Sequence, residues 1–108
     1  MHNGKPAPDI YQVAFKRLNV DPVNCIVFED AGMIPYPLSH SLAHSLTYYY
    51  LVSGIVAAKS AGVPNTQICA IPNLTISAKE DFQVFTPLVL HTLQDFDHHL
   101  FNYMPLNE

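Results

Sequence analysis

Cys25-Ile26-Val27-Phe28-Glu29-Asp30-Ala31 is the stretch on which the fold turns. Four apolar residues in a row, closed by two acids, suit a short strand buried on both faces of a parallel sheet. On its N-terminal side, Ile10, Val13, Ala14 and Leu18 recur at spacings of three and four behind Pro8. This predicts a helix from Pro8 to Val20, stopped by the turn-like Asn19-Val20-Asp21-Pro22. On its C-terminal side, Gly54 to Gly62 reads as a helix rich in small residues, with Gly62 at the cap. Gln67 to Ile71 reads as a second strand ended by Pro72-Asn73, Ser77 as the cap of a short helix through Phe82, and Leu88 to Leu90 as a third strand. The segment from Leu93 to Glu108 is expected to be a short helix plus tail. Helix and strand alternate, which predicts an α/β fold with a parallel sheet of about three strands.

Composition narrows what such a fold does. The chain has 108 residues, 49% hydrophobic and 13% charged, which argues against disorder and for one domain spanning 1–108. A net charge of −4 is the wrong sign for holding nucleic acid or anionic lipid by charge alone. Cys25 and Cys69 have no CxxC spacing, so neither a zinc site nor a disulfide framework is indicated and a cytoplasmic setting is expected. Ala31 to Ala58 holds no Asp, Glu, Lys or Arg in 28 residues, and it carries His40, His44 and the run Tyr48-Tyr49-Tyr50. Its apolar part, Leu42 to Ala58, is too short and too polar for the roughly 20 residues of a membrane span. His40 and His44 stand at the i, i+4 spacing that suits one metal ion, but two packed or solvated histidines in an irregular insert are the simpler expectation. The same holds for His91, Asp97, His98 and His99, expected to belong to a solvated terminus.

Three segments together resemble the haloacid dehalogenase superfamily of phosphohydrolases. Gly4-Lys5-Pro6-Ala7-Pro8-Asp9-Ile10-Tyr11 resembles the lysine motif of its sugar-phosphatase branch, Val27-Phe28-Glu29-Asp30-Ala31 its acidic metal motif, and Ser53 to Val63 the helix that follows the acids. The tail, Leu93-Gln94-Asp95-Phe96 with Leu100-Phe101, is similar to the pseudouridine-5'-phosphatase and glycerol-phosphatase type within that branch, which also includes β-phosphoglucomutase-like members. The resemblance implies a partial Rossmann-like core and Mg²⁺-dependent hydrolysis of a small phosphomonoester through an aspartyl-phosphate. It implies Asp30 as a direct metal ligand, Glu29 as a direct or water-mediated one, and Lys5 as the cation that neutralises a phosphoryl oxygen. The chemistry of the residues agrees. Strand ends in an open parallel sheet are where ligands bind, adjacent carboxylates there need a cation or donors, and oxygen ligands suit Mg²⁺. Lys5, pinned between Gly4 and Pro6, is a point charge on a stiffened turn.

The chain also departs from the family. The nucleophile motif, Asp-x-Asp-Gly on a first strand, is absent from these 108 residues. It is expected, with the substrate-selecting cap, ahead of Lys5 in a full-length member. Asp95-Phe96-Asp97 is followed by His98-His99 instead of Gly-Thr and is rejected as that motif. The family places two residues between the small residue after the acids and the next helical glycine, whereas Ala31 and Gly54 are separated by 22. The excess, about Gly32 to Val52, is read as an atypical insert of the kind an unspliced intron produces, a lid or interaction loop being the competing account. As an extraneous segment, it should raise stability when deleted. Self-association through the insert or an open sheet edge is expected. The competing functional reading is a noncatalytic binding protein on a degenerate core, contacting its partner through the tyrosines. Asn73-Leu74-Thr75 is a chance glycosylation sequon.

Overall fold

A computed structural model describes residues 3–30, 39–72 and 78–100. The sequon, Ser77 and the tail beyond Leu100 lie outside them. Helix α1 (Asp9–Leu18) follows Pro8, carries Asp9 in its first turn and Lys16 and Arg17 in its last, and ends at Asn19 in the left-handed conformation (φ 55°). It turns Phe15 into the core, with the Tyr11 ring stacked on Phe15 at 6.1 Å. After a 3₁₀ turn at Pro22–Asn24, strand β1 (Val27–Asp30) pairs in parallel with β2 (Ile68–Ile71), and β2 pairs in parallel with β3 (Leu88–Val89). The sheet order is β1-β2-β3. The central strand is the most deeply covered: Ile68, Cys69 and Ala70 are all fully buried, as expected where both faces of a parallel strand are packed. The α/β reading is therefore what the chain adopts, as a three-stranded parallel sheet with flanking helices.

Three local expectations need correction. The first strand begins at Val27 instead of Cys25, with Glu29 and Asp30 as its last two positions in register with Ala70 and Ile71. The third strand is shorter than expected, though the Leu90 N–H still bonds to the Ala70 carbonyl at 2.8 Å. Among its described residues, the C-terminal segment forms short 3₁₀ turns at Leu93–Asp95 and His98–Leu100, the first closed by a capping box between Thr92 and Asp95. Phe96 beyond it meets Phe28 edge-on at 5.0 Å.

The largest difference lies in the charge-free stretch. Its residues 40–53 are not irregular but form the first two thirds of α2 (His40–Ser60), which runs on without a break into the helix predicted from Gly54. Ser39 caps it, its hydroxyl accepting the Leu42 N–H at 3.1 Å. No Gly or Pro interrupts 39–53. At the far end the Gly62 N–H bonds to Lys59 and the Val63 N–H to Ala58, a Schellman closure that needs the positive φ (103°) of Gly62. Leu51 and Ile55 on α2 enter the core beside Val27, Ile68 and Phe82. The helix α3 (Glu80–Gln83) packs Phe82 and the following Phe85 against Tyr48 at 5.8 and 6.3 Å. No helix among the described residues is long and apolar enough to cross a membrane.

Candidate functional site

Strand alternation decides what each acid of β1 does. Val27 and Glu29 point inward, whereas Phe28 and Asp30 are exposed on the other side. The two carboxylates expected to act together therefore leave opposite faces of one strand end. Glu29 is 7% exposed, which requires partners for its charge. Two arrive from the turn and helix ahead of β1. The Lys5 ammonium donates to Oε1 at 2.9 Å and to Oε2 at 3.3 Å, and the Tyr11 hydroxyl donates a short bond to Oε1. The Lys5 ammonium also lies 5.5 Å from the centre of the Tyr11 ring. On the remaining side stands the backbone of Gly54, where a Cβ would fall 2.0 Å from Glu29 Oε1. Lys5, Glu29 and Gly54, one from each resembling segment, thus converge on one point at the carboxyl end of β1.

Tyr11 has no role in the sequence reading, because the helix turns Tyr11 and Phe15 toward the core while Ile10 and Leu18 of the expected apolar face stand 56% and 70% exposed. Burial, the bond to Glu29 and the Glu29 charge all push its phenol above its ordinary value, so it remains a donor at neutral pH. The other candidates go elsewhere. His44 reaches Asp81 of α3 at 3.4 Å, and the His40 side chain lies outside the described residues. His99 faces Asp97 at 3.1 Å in an exposed pair. Burial raises the Cys69 thiol above its ordinary value, which keeps it protonated and inert.

A catalytic Mg²⁺ needs about six oxygen ligands in octahedral array. The described residues do not meet that demand by themselves. Glu29 is already bound by an ammonium and a phenol, Asp30 lies on the opposite face, and no group of three or more His, Cys, Asp or Glu side chains gathers among the described residues. Titration calorimetry of this chain with Mg²⁺ should therefore show binding no tighter than about millimolar. A micromolar constant would reveal a site that these carboxylates do not form.

The chain is 37% identical over 71 residues to the bifunctional riboflavin kinase/FMN phosphatase of Arabidopsis thaliana, covering 66% of this chain and 13% of that protein. It is 39% identical over 61 residues to a phosphorylated carbohydrates phosphatase of Thermotoga maritima, covering 56% and 19%. It is 33% identical over 96 residues to a probable pseudouridine-5'-phosphatase of Drosophila melanogaster, covering 87% and 31%. The chain is related to the haloacid dehalogenase-like phosphatases. It spans less than a third of the length of each of these curated relatives. No protein-family profile matches the chain, and no solved structure does. The three-stranded parallel sheet with its flanking helices is consistent with a partial haloacid dehalogenase-like core.

Proposed function

We propose that this chain supplies the lysine and acidic part of a site that hydrolyses small phosphate monoesters, within a polypeptide that also carries an Asp-x-Asp-Gly strand. The observation supporting this is the convergence of Lys5, from 24 residues upstream, on Glu29 at the strand end where α/β sheets bind ligands. Lys5 is the cation offered to a phosphoryl oxygen, and Asp30, exposed at the same strand end, is the carboxylate offered to Mg²⁺, whose remaining oxygen donors come from beyond the described residues. The names of the relatives suggest pseudouridine 5'-phosphate, FMN or a phosphorylated carbohydrate as the kind of substrate, and the resemblance of the tail adds glycerol phosphate. Two free thiols suit a reducing, cytoplasmic setting.

With no nucleophile motif, the 108-residue chain should not turn over an aryl phosphate in Mg²⁺. Joined to an Asp-x-Asp-Gly-bearing half from a relative it should gain turnover, and Lys5→Ala should then reduce the rate by roughly 10²-fold or more. Turnover by the chain alone that Asp30→Asn abolishes would overturn the assignment. A second reading, a noncatalytic binding protein, draws on the exposed Leu42, Tyr49 and Tyr50 of α2. A transcript whose upstream codons spell Asp-x-Asp-Gly favours the enzyme, and one without them favours the binding protein.

A further inference from the structure

We infer that Tyr11 is a positioning residue for Lys5, acting through Glu29 and through its own ring. The inference rests on the reading of Lys5 as the cation that meets phosphate. A Glu side chain on a strand has three rotatable bonds, and a long, 37% exposed lysine has four, so neither defines a fixed point in space alone. Three contacts remove that freedom. The Gly54 backbone blocks one side of the Glu29 carboxylate, the Tyr11 hydroxyl takes Oε1, and the ammonium settles against both oxygens. The face of the same ring lies under the ammonium at 5.5 Å, and Phe15 backs the ring at 6.1 Å. Tyr11 thereby ties the turn carrying Lys5 to the end of β1 across 18 residues of chain. A phenylalanine would fill the same space against Phe15 without fixing the carboxylate.

The test is trace acetylation of the folded chain with acetic anhydride at fixed neutral pH. Each lysine is quantified by mass spectrometry against the urea-unfolded chain, with exposed Lys16 and Lys79 as internal references. Wild-type Lys5 should be protected. Tyr11→Phe should raise its labelling at least about threefold relative to the references, since it deletes one hydrogen bond to a charged group. Tyr11→Met, which removes the ring as well, should raise it further. A purely structural role would lower the melting temperature and raise the labelling of half-buried Lys59 along with that of Lys5. Lys5 labelling that stays at the wild-type rate in both variants, or rises only in step with Lys59, would overturn the proposal. No substrate enters the measurement, so this result stands or falls separately from the phosphatase reading.

Discussion

Replacing Gly54 with alanine is expected to destabilise the chain by about 3 kcal/mol, even though alanine inside a helix is intrinsically better than glycine by roughly 1 kcal/mol. The sign reverses because the added methyl carbon would fall 2.0 Å from Glu29 Oε1, 2.4 Å from its Cδ and 2.7 Å from Oε2. The carboxylate cannot retreat without leaving Lys5 and Tyr11, and the helix cannot retreat without lifting Leu51 and Ile55 from the core. A urea titration measures the effect directly. A midpoint that stays level or rises in Gly54→Ala would mean that α2 does not lie against Glu29.

Leu51→Ala should cost about 2–5 kcal/mol, the range for emptying a packed leucine site. The residue is 1% exposed and sits in the core with Val27, Ile68 and Phe82. Tyr49→Ser and Tyr50→Ser, 58% and 61% exposed on the same helix, should stay within about 0.5 kcal/mol of wild type. The contrast bears on the stretch from Gly32 to Val52. Its deletion, which the sequence alone makes stabilising, takes away Leu51, the buried Ala43 and the packing of Tyr48 on Phe82, so the unfolding midpoint should fall. A rise would show that Leu51 and Tyr48 add nothing the rest of the core lacks.

The sheet was legible because its signals are local. Cys25 to Asp30 and Gln67 to Ile71 are short apolar runs between turn formers, and a buried parallel strand needs little else. The first two thirds of α2 were misread for a physical reason. Family spacing sets residues 32–52 apart, and a stretch without charged residues carries no polar face by which a helix shows itself. A helix asks only for a cap and no breaker, which Ser39 and the uninterrupted run to Ser53 supply, with Leu42 and Leu46 at spacing four as the visible trace. At the site, Lys5 and Glu29 were found through their motifs. The division of labour between Glu29 and Asp30 was not, because it depends on whether β1 ends before or at the acids, and strand ends are the least defined part of a sequence reading. Tyr11 was hidden by its type: a tyrosine at a helical core position reads as packing until a buried carboxylate is known to face it.

The continuous path of α2 also settles the electric field at this edge. A helix that begins at a strand end brings its partial positive pole there, a ready counter-charge for anions. Here the helix begins at His40, and Gly54 is the residue that touches Glu29, so the pole stands about 20 Å up the axis at 1.5 Å per residue. The positive charge meeting Glu29 is therefore carried by a side chain instead of a backbone dipole. A backbone dipole is permanent, but an amine can be acetylated, mutated or drawn away by a competing anion. In this chain the polarity of the strand end is a property that one covalent change at Lys5 can cancel.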